Sequence, residues 1–162
     1  MATNISLNQF APNTPVAGLY VYMANLPQLH NVIVSSTQTT ALAPGAVLAL
    51  DSASTNLDAP VAKQAAVTDV IFGVLVYNPV TNLFNAGDRI AVARPNDVVW
   101  MPAAGAVTAG ATLYFTADNE VTSTATAGNS IIGKALTPAS AKGDLVQVEL
   151  GFQTTTKPAG GS

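Results

Sequence analysis

Short segments rich in Val, Ile, Leu, Thr and Tyr follow one another along this 162-residue chain, and Gly, Pro, Asn and Asp residues punctuate them. Such runs, often with apolar residues at alternate positions, are typical of β-strands joined by tight turns. The predicted strands occupy residues 18–24, 31–36, 46–51, 70–77, 88–94, 97–101, 112–116, 121–124, 130–136 and 144–152. One short helix is predicted over residues 59–69, although Pro60 and the β-branched residues dilute its helix formers. The predicted fold class is all-β.

The most specific local pattern is a β-hairpin. An alternating run at residues 113–117 is followed by Asp118 and Asn119, and a second run begins at Glu120. Asp and Asn tolerate the positive φ that a tight turn requires. We therefore expect the two runs to pair as antiparallel strands.

Three glycine-centred segments occur twice and in the same order, which indicates an internal repeat. The matched centres are Gly45 and Gly110, Gly73 and Gly133, and Gly87 and Gly143, at offsets of 65, 60 and 56 residues. The falling offset means that the second copy, about residues 106–151, is a shortened version of the first, about residues 43–95. We expect a single β-sandwich or barrel domain built from two related β units.

The two ends of the chain lack this pattern. Residues 1–15 contain two prolines and isolated apolar residues, which predicts an extended N-terminal arm. Ile5, Leu7 and Phe10 are its candidate anchors on a neighbouring subunit, and a frayed terminus fits the same residues. Residues 153–162 are a flexible tail by composition, so the β domain is predicted to span residues 16–152.

Charged residues make up only 9% of the chain while hydrophobic residues make up 49%. An ordinary soluble protein has about 25% charged residues. A surface with so few charges is covered by small polar residues or is partly hidden in contacts with other subunits. We therefore expect a homo-oligomer, with a trimer ahead of a dimer. Trp100, the single Trp, fits core packing and an interface anchor equally well, and Trp100 and Met101 are candidate contacts with a partner.

Several partner and site classes are disfavoured. Six scattered Lys and Arg residues and a net charge of −3 give no basic surface for nucleic acid. The longest apolar stretches, residues 70–77 and 98–104, are far below the roughly 20 residues that cross a bilayer. The first residues do not resemble a secretory signal. With no Cys and one His, we expect no metal site and no cofactor.

Two segments partly match the sequence motifs of ligand-binding loops. Residues 128–135 nearly match a phosphate-binding loop, but Ala135 replaces the hydroxyl that binds magnesium, and Pro138 follows too soon for a helix. Residues 51–56 carry alternate oxygen-bearing side chains as in a calcium loop, yet they lack the turn glycine and the terminal Glu. We interpret both segments as structural.

No catalytic constellation is evident. His30 lies near two serines but has neither a nucleophile elbow nor an acid placed by a motif. Asp88 and Asp144 each follow a glycine at a predicted turn, which favours a structural role, although the sequence leaves open whether such carboxylates converge in space. We expect a protein that is not an enzyme, and a hydrolase with dispersed carboxylates ranks last among the alternatives.

The segments 73–75, 86–92 and 98–114, with a Gly-Asp turn and a Gly-Ala-Val-Thr-Ala-Gly run leading to a hairpin, resemble phage capsid cement and decoration proteins. The resemblance covers roughly residues 40–150. It implies an all-β protein, often trimeric, that is made in the host cytoplasm and bridges neighbouring major capsid protein subunits on the outer surface of the virion. The alternative is a receptor- or carbohydrate-binding β module of a phage head fibre or tail.

Overall fold

The computed structural model describes residues 15–22, 30–55 and 58–154. Within these ranges the chain forms eleven β-strands and no helix, so the all-β prediction is confirmed. The strands are β1 (Tyr20–Tyr22), β2 (His30–Val34), β3 (Val47–Leu50), β4 (Val61–Gln64), β5 (Gly73–Leu75), β6 (Arg89–Ala93), β7 (Val98–Pro102), β8 (Thr112–Phe115), β9 (Val121–Thr122), β10 (Ile131–Ala135) and β11 (Leu145–Gln153).

The helix predicted over residues 59–69 is wrong, because this segment contains strand β4. It pairs antiparallel with β3 and parallel with β2, so both of its edges are hydrogen-bonded. Ala62 is fully buried between the partly buried Val61 and Lys63, which is the burial pattern of a strand. Pairing on both edges outweighs the weak helix propensity of these residues.

The predicted hairpin is confirmed. Strands β8 and β9 are antiparallel, with Phe115 opposite Val121. Asn119 in the connecting turn has a φ of 60°, the left-handed conformation that Asn tolerates.

Strands β2 to β6 form a closed five-stranded barrel, which we call unit 1. Its strands are ordered β2-β4-β3-β5-β6, and the parallel pair β2–β4 closes it. Alternate residues point inwards, so that one apolar cluster fills the barrel. The buried members of this cluster are Val32, Val34, Leu42, Ala46, Leu48, Ala62, Leu75, Phe84, Ile90 and Val92.

Strands β7 to β11, which we call unit 2, lie with β1 in a six-stranded sheet of order β1-β7-β11-β10-β8-β9. An isolated parallel bridge between Ala103 and Val121 connects the end of β7 to β9. This bridge corresponds to the β2–β4 pair of unit 1. Unit 2 therefore curls in the same way as the barrel but is closed by a single bridge.

The two units have the same pairing order, since β2-β6-β5-β3-β4 corresponds to β7-β11-β10-β8-β9. The strands that follow the repeated glycine segments hold equivalent places in this order. At Gly73 a Cβ atom would lie 2.8 Å from the carbonyl oxygen of Ala93, and at Gly133 it would overlap the backbone of Glu149. Each glycine thus permits the same close approach of two strands. The boundaries of the arm, domain and tail stay predictions.

The core of unit 2 extends onto the outer face of unit 1. The cluster inside unit 2 also contains Val47, Val74 and Ala93, which point outwards from the unit 1 barrel. Polar contacts add to this packing: the Val47 N–H donates to Asn119 Oδ1 at 2.9 Å, and the Ser130 N–H donates to the Val67 carbonyl at 2.8 Å. The outer face of one barrel therefore forms part of the wall of the other unit's core.

Candidate interaction surfaces

The predicted partner contacts fall in different parts of the molecule. Ile5, Leu7 and Phe10 lie outside the described residues. Met101 is fully buried in the core of unit 2, so its side chain has no area to offer a partner. Trp100, its neighbour on β7, points to the other side of the strand and is half-buried. The alternation of side chains along a strand thus separates these two residues.

Trp100 lies at the place where the N-terminal segment joins the domain. Its carbonyl accepts a hydrogen bond from the Gly18 N–H at 2.8 Å, and its own N–H donates to the Leu19 carbonyl at 3.0 Å. The Trp100 side chain lines an open depression of about 640 Å³ together with Pro15, Pro138 and Leu145. Pro15, the first residue that the structure describes, is therefore part of the Trp100 depression.

Four of the described aspartates accept hydrogen bonds within local turns. The carboxylates of Asp69, Asp88, Asp97 and Asp144 each accept a backbone N–H from three residues earlier, at 2.7 to 2.9 Å. Asp88 and Asp144 do so in equivalent turns of the two units. Hydrogen bonds from the Ser140 hydroxyl and from the N–H groups of Ser140 and Ala141 lower the pKa of Asp144. These contacts give each carboxylate a structural role.

Asp51 is a buried acid directly after β3. Its carboxylate accepts hydrogen bonds from the Ala53 N–H at 2.9 Å, the Ser35 hydroxyl at 2.7 Å and the Thr37 hydroxyl at 2.9 Å. The Ala53 bond, followed by the two hydroxyls, lowers the pKa of Asp51 to about 2. The calcium-like pattern at residues 51–56 therefore begins with a carboxylate that ties the β3–β4 loop to the end of β2. In the described part of the chain no group of three or more His, Asp or Glu residues could hold a metal ion.

The segment that resembles a phosphate-binding loop and the single histidine both lie in strands. Residues 131–135 of the phosphate-loop pattern are strand β10, which pairs with β8 and β11. His30 is the exposed first residue of β2 and lies opposite Val92 of β6. The described ranges contain no helix long and apolar enough to cross a membrane.

Among the residues that the structure describes, five large apolar side chains are substantially exposed, and none of them was predicted as a partner contact. They are Leu50 (47% exposed), Val70 (72%), Val80 (91%), Leu83 (55%) and Leu136 (43%). Val80 and Leu83 lie in the connection between β5 and β6, which we call the apolar loop (residues 76–83). Leu50 and Val70 line an open depression of about 630 Å³, which we call the barrel depression.

Phe72 and Arg94 form part of the barrel depression. The guanidinium carbon of Arg94 lies 4.2 Å from the centroid of the Phe72 ring, and Arg94 Nη1 donates a hydrogen bond to the Phe72 carbonyl oxygen. Burial lowers the pKa of Arg94. The Arg94 guanidinium therefore makes a cation–π contact with the Phe72 ring and a hydrogen bond to the Phe72 carbonyl, both within the chain.

Comparison with known proteins identifies the class of the chain. The family described as "phage cement protein" matches residues 28–150, which include both units. A solved structure titled as the crystal structure of the head fiber gp8.5 N base in bacteriophage phi29 is similar in fold, with a TM-score of 0.53 at 18% identity. The similarity covers 75% of this chain and 92% of that one. No match was found among curated proteins.

Proposed function

Since the chain belongs to the phage cement protein family and is a phage structural protein, we propose that it binds the outer surface of an assembled capsid and bridges neighbouring major capsid protein subunits. The observation that carries the proposal is the family match over both β units. In this proposal the protein acts by binding alone and not as an enzyme.

The physical mechanism would be mass action. A protein that binds the assembled shell but not the separate subunits stabilises the shell by about 2.7 kcal/mol per site when its free concentration is 100 times the dissociation constant. A homo-oligomer on the virion surface would multiply several weak contacts into tight attachment. A trimer is the expected oligomer, with a dimer as the alternative, and synthesis would take place in the host cytoplasm.

The proposed capsid contact consists of the arm and Trp100. Pro15 and Trp100 line the same depression, so an arm that leaves the domain there starts next to the exposed part of the indole. Trp side chains of this kind are frequent anchors of protein interfaces. Ile5, Leu7 and Phe10 would add apolar area at roughly 25 cal/mol per Å² buried. The proposed contact leaves out Met101, whose side chain is buried.

The test uses shells that lack the protein. Purified protein is added to them, and the bound fraction and the temperature at which the shells open are measured. We expect deletion of the arm (residues 1–14) to weaken retention on heated shells and to leave the melting temperature of the free domain unchanged. Equal retention of the two forms would remove the arm from the contact, and loss of folding would assign it to the core.

Trp100→Ala is the point substitution for the same contact. Tyr114→Ala is its matched control, because Tyr114 is a half-buried aromatic residue on β8 that does not line the Trp100 depression. We expect Trp100→Ala to reduce retention at least tenfold and Tyr114→Ala to retain the wild-type value. If neither intact protein nor variants bind shells, the proposal fails.

The second candidate is a receptor- or carbohydrate-binding module of a head fibre or tail, and a solved head fiber base has a similar fold. At 18% identity the similarity shows the fold alone. The same shells distinguish the two candidates. A cement protein raises the opening temperature of the shell, whereas a receptor-binding module leaves that temperature unchanged and binds host cells or surface polysaccharide.

A further inference from the structure

The two units provide an internal comparison for the apolar loop. Leu75 and Ala135 hold equivalent places, since their carbonyls accept the N–H groups of Gly45 and Gly110 at 2.8 and 2.7 Å. Downstream, Phe84 and Ala139 make equivalent antiparallel bridges, to Leu42 and Val107. These equivalent points are nine positions apart in unit 1 and four in unit 2. Unit 1 therefore carries about five residues in this connection that unit 2 folds without.

The extra residues display apolar side chains in a defined shape. Val80 is 91% exposed and Leu83 is 55% exposed, and residues 76–86 contain no charged side chain. The Val80 N–H donates to Asn78 Oδ1 at 2.9 Å, and the Thr81 hydroxyl donates to the Leu83 carbonyl at 3.1 Å. The apolar loop is thus an uncharged projection held by its own hydrogen bonds. Large exposed apolar patches mark interaction sites, and the apolar loop provides apolar area that the fold does not require.

A surface that suits this projection lies at the opposite end of unit 1. The barrel depression is lined by Phe72, just before β5, and by Arg94, just after β6, whereas the apolar loop connects the other ends of those two strands. Leu50 and Val70 supply its exposed apolar area. Three charged side chains, Lys63, Asp69 and Arg94, also line it. Each interacts within the chain, because Arg94 contacts Phe72, the Asp69 carboxylate accepts the Ala66 N–H, and the Lys63 charge interacts with the Asp51 carboxylate. The barrel depression suits an uncharged apolar occupant.

We propose that the apolar loop of one copy occupies the barrel depression of a second copy. The loop and the depression lie at opposite ends of β5 and β6, so one molecule cannot bring them together by itself. The contact is therefore head-to-tail, and successive copies close into a ring when the rotation between them permits. This inference rests on the homo-oligomer of the proposed function and specifies the surfaces that form it.

The test uses two complementary variants and a control. Val80→Asp/Leu83→Asp disables the loop, and Leu50→Ser/Val70→Asp disables the depression. Leu136→Ser is the matched control, because Leu136 is 43% exposed and belongs to neither surface. Melting temperatures establish that each variant is folded, and size-exclusion chromatography with light scattering gives the mass at micromolar concentration.

We expect wild type and Leu136→Ser to be oligomers and each double variant to be a monomer. The loss of two central apolar side chains raises the dissociation constant by more than about 30-fold, the range of interface hot spots. An equimolar mixture of the two double variants should form dimers, because one retains an intact loop and the other an intact depression. A mixture that stays monomeric, or either double variant remaining oligomeric, would overturn the proposal.

Binding to shells, measured on the same preparations, separates this inference from the capsid function. A monomeric wild-type protein that still binds shells overturns the head-to-tail contact and leaves capsid binding in place. An oligomeric wild-type protein that behaves as expected in the mixing experiment but does not bind shells supports the contact and removes the capsid function.

Discussion

Replacing Gly18 with Ala should destabilise the whole domain, because Gly18 lies where the N-terminal segment passes between the units. Its N–H donates to the Trp100 carbonyl of unit 2 at 2.8 Å, and its carbonyl accepts the Tyr77 N–H of unit 1 at 2.9 Å. It has a φ of +74°, and an added Cβ would lie 2.6 Å from the Leu75 carbonyl oxygen and 2.7 Å from the Gly45 nitrogen. All of these close neighbours are backbone atoms, which cannot move aside as a side chain would.

Two effects add to the cost. Holding an L-residue in the left-handed region costs about 1–2 kcal/mol. Forcing an extra carbon into a packed site costs about 1–3 kcal/mol. We therefore expect Gly18→Ala to lower the free energy of unfolding by about 2–5 kcal/mol, which is a large fraction of the 5–15 kcal/mol that stabilises an ordinary domain.

Urea denaturation of wild type and variant measures this difference, and an unchanged m-value confirms that the same surface unfolds. Gly105→Ala is the matched control, since no atom lies within 4 Å of its added Cβ and its φ is outside the left-handed region. We expect that control to remain within about 0.5 kcal/mol of wild type. A Gly18→Ala protein as stable as the control would refute the argument that Gly18 joins the two units.

Three other predictions follow from the described contacts. The folded pKa of Asp51, about 2, lies below its ordinary 3.8, so its stabilisation is present above about pH 4 and lost as the pH falls towards 2; melting temperatures should fall more steeply over that window for wild type than for Asp51→Asn. Met101→Ala should cost about 2–5 kcal/mol in urea denaturation as a core truncation, whereas Trp100→Ala should mainly reduce shell retention. Far-UV circular dichroism should show less than about a quarter helix, and a larger fraction would contradict the all-β fold.

The strand positions could be predicted because alternating apolar residues leave a direct trace in the sequence. Closure of the barrel could not be predicted from the sequence, because it depends on the parallel pairing of Val34 with Ala62, which are far apart in the chain. Strand β4 was not predicted because it has only four residues and only one of them, Ala62, is fully buried. So short a segment shows no clear alternation of apolar and polar residues. Tertiary pairing determines such strands more than local propensity does.

The candidate surfaces were harder to predict. Hydrophobic periodicity does not distinguish a buried Val from an exposed one outside the strands, so Val80 and Leu83 gave no signal of their own. The repeat did contain a usable signal, because the offset between the copies falls from 60 at Gly73 to 56 at Gly87. When one copy of a duplicated unit has extra residues, those residues lie in a connection between strands. The other copy folds without them, so they are not needed for folding.

The equivalent outer faces of the two units have opposite character, and this difference limits how the chain can associate. Val47, Val74 and Ala93 cover that face of unit 1 and are fully buried against unit 2. The equivalent positions of unit 2 are the exposed Thr112, Lys134 and Glu149, with Lys134 directly opposite Glu149 in the sheet.

A third unit packed on unit 2 in the same way would remove both of these charges from water, and the loss of their hydration would oppose the contact. A third unit is therefore not expected to pack on unit 2 as unit 2 packs on unit 1, although the backbone of unit 2 has an equivalent outer face. Further association has to use surfaces that the duplicated fold does not share between its units. The apolar loop satisfies this condition, because its extra residues occur in unit 1 and have no counterpart in the equivalent connection of unit 2.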